Sequence, residues 1–458
     1  MSICKVFVPY GSVGFGISQE DFDAAMALKP DIISSDAGST DSGPYYLGNG
    51  KCKYSRESVK ADIRMMIVAA HKSGIPITIG SSGTCGVDDS VDWVSEICCE
   101  ICNEEGINAK IAKIYTEQCG NEMKKRYTEG KIKPLEAAPS IQESTFDECS
   151  HIVALAGIEP FIKALKEGAD IVICGRATDT AVIAAMPILK GCGAAVAWHG
   201  AKVTECGCIC TTNPLTGGVF LTVEDDSFIV EAVSKTSSCT PYSISAHLLY
   251  ENSDPFHLTE PGVVIDTTNC TYEQLENGRV KVTGTKISYS KQYTMKLEGA
   301  GPAGFQTVTL VGVRDKRIMK DPEKWISNME AFVADRLNKL GFNSEDYSYN
   351  LRAYGWNAVY GGPVPSDYVP NELGILLTVT AQTQELATKV AKVFNPWLLH
   401  FPVDKKSQLP SFAFPFSPAE IEKGPIFEFK LDHVVEVNDP LELIRMKFIE
   451  CSKKIGGK

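Results

Sequence analysis

Short apolar runs alternate with longer amphipathic stretches through the first 200 positions of the chain. The runs at Lys5–Pro9, Asp31–Ser35, Pro76–Ile79, Ala109–Tyr115, Ile152–Leu155, Ile171–Cys174 and Ala194–Trp198 predict strands. Between them, Gln19–Leu28, Ser55–Ser73, Asp88–Glu105, Asn121–Glu129, Glu159–Lys166 and Thr178–Leu189 predict helices; Ser55–Ser73 places Ile63, Ile67, Val68 and Ala70 along one stripe. Strands separated by helices of about 10–15 residues imply right-handed βαβ units and a mostly parallel sheet. The alternation fits either an open doubly wound sheet or a partial barrel.

Most of these apolar runs stop at a cluster of small and polar residues. The clusters are Gly11–Gly16, Asp36–Gly43, Gly80–Gly86, Glu117–Gly120 and Gly175–Thr180. Ligands bind at the carboxyl ends of parallel strands because backbone N–H groups and helix N-termini converge there. The N-terminal half therefore reads as the ligand-binding layer. After about Glu205 the rhythm changes: Phe220–Val223, Ser227–Val233, Val263–Asp266, Arg279–Val282, Gln306–Val313 and Gly374–Thr380 read as strands. Only Pro322–Leu340 and Thr383–Phe394 read as substantial helices there, and Asn213-Pro-Leu-Thr-Gly-Gly218 is one of several turns. Strands following strands suggest an α+β domain, so the expected division is 1–205 and 206–458.

At 458 residues, the length fits two domains, and 44% hydrophobic with 22% charged residues is ordinary for a globular protein. A formal charge of −12 disfavours a nucleic-acid groove, which needs a basic face. No apolar run has the length of a membrane span, and the first ten residues do not form a signal peptide, so a cytoplasmic location is expected. Self-association into a homo-oligomer is compatible with the composition. The 16 cysteines are scattered rather than framing a small module, which favours buried, reduced thiols. Cys98, Cys99 and Cys102 lie in a predicted helix, and Cys206, Cys208 and Cys210 alternate as in a strand; neither trio has a partner pair or a nearby His at zinc-ligand spacing, so a metal role is not expected of either.

The densest chemistry lies in Asp36-Ala-Gly-Ser-Thr-Asp-Ser-Gly-Pro-Tyr-Tyr-Leu-Gly48. Its glycines let backbone approach a ligand, while Asp36, Ser39, Thr40, Asp41, Tyr45 and Tyr46 supply acceptors, donors and aromatic faces. The opening Asp-x-Gly-x-Thr resembles the phosphate loop of sugar-kinase and actin-like ATPases, but those folds set it in a hairpin, whereas a helix is predicted here. Gly80-Ser-Ser-Gly-Thr-Cys-Gly86 presents Ser81, Ser82 and Thr84 at a helix start without the Lys of a P-loop. Gly11-Ser-Val-Gly-Phe-Gly16 lacks the dinucleotide spacing, so nicotinamide and flavin are disfavoured and the cofactor is left unknown. In Gly175-Arg-Ala-Thr-Asp-Thr180, Arg176 suits a carboxylate or phosphate clamp, with Thr178 and Asp179 capping the helix. Glu117 and Gln118 add a possible general base with an amide beside it, and His199 is the histidine at a predicted strand end. A divalent metal would draw on Asp36, Asp41, Glu117 and Asp179.

The Asp36–Gly48 stretch, Gly175-Arg-Ala-Thr-Asp-Thr-Ala181, Trp198-His-Gly-Ala-Lys202 with Glu205-Cys-Gly207, and Leu249-Tyr-Glu-Asn252 with Glu260-Pro-Gly262 resemble the acyclic terpene utilisation (AtuA-like) family over nearly the whole chain. The resemblance implies a place in terpenoid acyl-CoA breakdown. Some members are labelled methylaspartate ammonia-lyases, and members often occur with a small companion protein. Together with the residues, it leads to an expected enzyme of carboxylic-acid or acyl-CoA metabolism: a hydro-lyase, ammonia-lyase or isomerase. Arg176 would clamp the carboxylate, Asp36 or Glu117 would take the proton, and the amides of Ser81–Thr84 would hold an enolate. The alternative is a non-catalytic accessory subunit that binds an acyl ligand or a small partner protein.

Overall fold

A computed structural model describes residues 2–451 apart from 216, 250, 251, 253, 366, 405, 407 and 411. Thr216, Tyr250 and Glu251 of the stretches above thus lie outside the described residues. The chain forms two compact units, Met1–Gly301 with Phe429–Lys458, and Pro302–Glu428.

The first unit is built on a ten-stranded sheet. In its centre Cys4–Val8, Ile32–Asp36, Ile77–Gly80, Ile171–Cys174 and Ala109–Tyr115 run parallel in that order. Successive residues of these strands enter two different cores. Val6, Val8, Ile32, Val172 and Cys174 pack with the helices Asp179–Leu189 and Ala194–Thr204. Phe7, Ile33, Ile77, Ile171 and Ile173 pack with Gln19–Ala27, Arg56–Ser73 and Asp88–Glu105. Burial on both faces explains why these strands read as continuous apolar runs. It also decides between the two expected architectures: the sheet is open and doubly wound.

Past residue 205 the helices thin out but the sheet continues. Val219–Val223 pairs antiparallel with Cys4–Val8, followed outward by Ser227–Ala232, Arg279–Thr283 and Thr271–Leu275. The other edge is covered by Arg445–Cys451, antiparallel to Ala109–Tyr115. The expected boundary at 205 therefore falls inside the first unit. His257–Glu260, Val263–Asp266 and Lys286–Tyr289 make a separate three-stranded sheet.

Some predicted elements change. Ala194–Trp198, read as a strand, is the start of the helix Ala194–Thr204, whose buried residues from Val196 to Thr204 leave no polar face to reveal its period. The alternating Cys206, Cys208 and Cys210 lie not in a strand but around a short 3-10 turn, Gly207–Cys210. Ile152–Leu155 is a strand, His151–Ala154, yet it pairs antiparallel with Tyr293–Val313 instead of joining the parallel set. The expectation of uniformly reduced thiols also fails at one place, where Cys99 and Cys451 form a disulfide with Cα atoms 5.4 Å apart.

The second unit is α+β. Tyr347–Tyr354, Leu373–Ala381 and the second half of Tyr293–Val313 form an antiparallel sheet. One face of it buries Val311, Ile375, Leu377 and Val379 against the helices Pro322–Lys339 and Gln384–His400. Among the described residues no helix is long and apolar enough to cross a membrane.

Candidate functional site

Three parallel strands deliver Asp36, Ser81 and Arg176 to neighbouring positions, because Asp36 pairs with Gly80 and Ile79 with Ile173 in register. Arg176 is only 5% exposed. Its Nε donates to Glu298 Oε2 at 3.0 Å, and Nη1 donates to Ser81 Oγ at 2.8 Å and to the Ala177 carbonyl at 3.0 Å. Asp179 Oδ1 lies 3.5 Å from Nη1. Burial opposes the guanidinium charge, but Glu298 and Asp179 more than offset it. Glu298 is buried too, and Arg176 with Lys296 holds its carboxyl below the usual value. Lys296 also pairs with Asp432, at 3.2 Å.

Above this pair opens a cavity of about 330 Å³. Its polar wall carries Asp41, Arg176, Asp179, Lys202, Glu205, Glu260 and Lys296; Leu135, Leu155, Pro261 and Val434 supply an apolar wall. Thr178 caps the helix Asp179–Leu189, its hydroxyl accepting from the Ala181 amide, and so fixes Asp179 and Thr180 in the first turn. Burial, with Glu205 and Glu260 adding to it against the pull of Arg176, raises the Asp179 carboxyl to about 7.

Thr180 is the hub of the remaining cluster. Its Oγ1 lies 2.6 Å from Glu205 Oε2 and 2.8 Å from Glu260 Oε1. Lys202 Nζ is 2.9 Å from Glu205 Oε1 and 3.6 Å from Glu260 Oε1. A hydroxyl has one proton to donate, so two carboxylate oxygens at these distances require a second proton between them. A shared proton, or a cation in its place, meets that need, and burial raises the Glu205 carboxyl. Glu260 is 6% exposed, and its Oε2 has no hydrogen-bond partner among the described residues.

Of the sequence-predicted residues, Ser39, Asp41, Arg176, Thr178 and Asp179 line this cavity. Asp36 and Ser81 lie fully buried outside its lining. Asp36 accepts from the Gly38 amide at 2.6 Å, and burial, then the nearby Asp179, keeps its carboxyl well above the usual value. A carboxyl buried away from the cavity cannot reach a substrate proton there. Thr40 is buried in the turn that follows Ser39. Ser82 and Thr84 do not form the expected oxyanion pocket, because their amides donate to the carbonyls of Cys174 and Ser81. Tyr45 and Tyr46 pack edge to face at 5.4 Å, and Tyr46 sits against a cluster containing Leu47, Cys85 and Val153.

Glu117 and Gln118 open on a different recess, shared with Asp88, Glu442 and Arg445. There Glu117 Oε1 is 2.6 Å from His151 Nδ1, and its Oε2 accepts from the Asp88 amide. Burial is the largest influence on the Glu117 carboxyl and raises it, but the hydrogen bonds from His151 and the Asp88 amide, with the charges of His151 and Arg445, together outweigh it and the value falls below normal. That is opposite to the raised value expected of a general base. His199, expected at a strand end, lies inside a helix beside Phe228 and Tyr272, with Nδ1 2.8 Å from Thr285 Oγ1. Burial lowers it to about 3.

Thr180, Lys202, Glu205, Glu260, Lys296 and Glu298 carry no role among the expectations from sequence. Two signals were present: Lys202 and Glu205 are three apart at the end of a helix, and Lys296 and Glu298 are two apart on a strand, hence on one face.

The architecture is an open α/β sheet with a charged cavity near the carboxyl ends of its parallel strands. The chain belongs to the acyclic terpene utilisation family: the Acyclic terpene utilisation family protein AtuA matches residues 48–407. No curated protein and no solved structure matches the chain. The family's role, acyclic terpene utilisation, is a metabolic one compatible with acyl and carboxylic-acid metabolism.

Proposed function

We propose that the protein is an enzyme of carboxylic-acid or acyl-CoA metabolism, a lyase or isomerase that moves a proton at the carbon next to a carboxylate or thioester. The observation that carries this reading is the pair of buried glutamates, Glu205 and Glu260, sharing one hydroxyl and one ammonium in the same cavity as Asp179. An acid and a base held side by side, with Asp179 titrating near neutrality, are what proton abstraction and return require. Lys202 and Lys296 supply positive charge for a carboxylate or a developing enolate. Leu135, Leu155, Pro261 and Val434 cover the alkyl part.

Ionised Asp179 takes the proton from the α-carbon, and the electron pair moves onto the carbonyl oxygen. In a lyase that pair returns to expel a hydroxyl or amino group from the β-carbon, with the proton shared by Glu205 and Glu260 passing to it as it leaves. In an isomerase the pair collects a proton at another carbon. Both routes begin with exchange of the α-proton.

The test uses deuterium oxide. Carboxylates and CoA thioesters that raise the melting temperature of the protein are incubated with it, and deuterium at the α-carbon is followed by NMR. Wild-type protein should exchange it; Asp179→Asn should slow exchange at least about 100-fold while retaining the fold, whereas Glu260→Gln should spare exchange and slow loss of the β-substituent. A ligand that binds and stabilises without any exchange would overturn the reading in favour of a binding-only accessory subunit.

A further inference from the structure

We propose that Glu205, Cys206 and His247 form a binding site for a zinc-type metal dication at the wall of the cavity. A carboxylate oxygen of Glu205, the Cys206 Sγ and an imidazole nitrogen of His247 all lie within 4.8 Å of one another. Zinc bonds of about 2.0–2.3 Å at tetrahedral angles set ligand atoms roughly 3.4–3.6 Å apart, so small side-chain adjustments close the site. The cysteine trio alone offers no such set. The fold brings in His247 from a separate helix.

Both ligand-bearing segments are pinned. Glu205 and Cys206 follow the helix Ala194–Thr204 and precede Gly207, whose φ of +60° and absent side chain let the turn press against Tyr10 and Gly11; a Cβ there would lie 2.7 Å from the Gly11 amide nitrogen. His247 ends the helix Pro241–His247, which begins with a capping box between Thr240 and Ser243. Ligands on fixed elements reduce the ordering cost of metal binding.

The donor set selects the ion. Thiolate with imidazole favours zinc, cobalt or copper over magnesium and calcium. Three protein ligands leave a fourth position open, and Glu205 belongs both to this group and to the cavity lining. Lys202 and Thr180 contact the two oxygens of Glu205, as outer partners that orient a metal-bound carboxylate do. Charge also fits: with a dication in place of the proton between Glu205 and Glu260, these two carboxylates and a Cys206 thiolate set three negative charges against one lysine, and the dication brings the group to neutrality. The buried Glu260 Oε2, which lacks a hydrogen-bond partner among the described residues, offers an acceptor beside it.

Metal binding here is separate from the proposed reaction and is tested without turnover. Full-length protein is equilibrated with Zn²⁺ or Co²⁺, desalted and analysed for metal, and the cobalt form is examined by absorption spectroscopy. About one metal per chain and a near-ultraviolet thiolate-to-cobalt charge-transfer band are expected. Cys206→Ser should abolish the band, His247→Gln should weaken binding at least tenfold, and Cys208→Ser should leave both unchanged. No metal retained by the wild type, metal retained without the band, or full binding by Cys206→Ser would each overturn the site. If Cys206→Ser fails to fold, the wild-type spectrum still decides. Loss of this site leaves the α-proton exchange experiment standing, and the reverse also holds.

Discussion

Asp179 ties chemistry to stability through one proton. Its carboxyl titrates near 7 instead of the ordinary 3.8, first because of burial. The native state therefore holds this proton more tightly than the unfolded chain. The resulting stability is fully present below about pH 4 and is lost as pH rises through 7. Exchange activity runs the other way, because ionised Asp179 is the base: the rate should climb with pH around 7 and level off above. Asp179→Asn should abolish that rise and stabilise the protein, by roughly 2–4 °C at pH 8 and by less at pH 5 in calorimetry. Equal shifts at both pH values would remove Asp179 from the titration. His151 has the same sign for another reason, since its hydrogen bond to Glu117 raises its pKa. Its contribution is present below about 6.5 and fades as pH passes the raised value. Glu117→Gln should lower the His151 midpoint in an NMR titration. Individual residues were legible in the sequence where they follow a predicted strand, as Arg176 and Asp179 do. Glu298 was not, because its partnership with Arg176 depends on a strand more than a hundred residues away reaching the same place.

The loops after the strands Ile77–Gly80 and Ile171–Cys174 work as one piece. Gly86 has φ +68°, and a Cβ on it would lie 2.2 Å from the backbone nitrogen of Arg176. Gly175 is equally confined, with Thr116 Oγ1 2.6 Å from its would-be Cβ. The backbone that carries Arg176 is thus set by two glycines packed against neighbouring loops. Gly86→Ala must both strain φ and push Arg176 away from Ser81 and Glu298. It should cost about 2–4 kcal/mol in urea unfolding and reduce exchange more than a peripheral change of equal stability cost. A midpoint within error of wild type would show that the loop has slack. These turns were readable because glycine, serine and aspartate mark strand ends. The helix at Ala194 was misread because a segment buried on every side loses the periodicity that separates helix from strand.

The last described strand completes the sheet that begins at Cys4. Arg445–Cys451 pairs residue by residue with Ala109–Tyr115, from Arg445 opposite Tyr115 to Cys451 opposite Ala109. Without it, Ala109–Tyr115 would be an edge strand with unpaired N–H and C=O groups. Ile444, Met446, Phe448 and Ile449 add apolar cover to the two cores. This strand was not foreseen: its alternation is short, and nothing local names a partner more than three hundred residues upstream. Such a contact is entropically expensive to form and is made late if folding proceeds from local contacts. A chain ending before Arg445 should therefore remain partly open. Its unfolding free energy should fall by on the order of 5 kcal/mol, with lower soluble yield as the exposed edge recruits other chains. Cys451→Ser separates the two contributions, since it removes the link to Cys99 but keeps the strand. If strand pairing dominates, Cys451→Ser should lie closer to wild type than to the truncated chain in both yield and urea midpoint. A truncated protein with the wild-type midpoint would mean that the parallel strands are stable without their antiparallel cover.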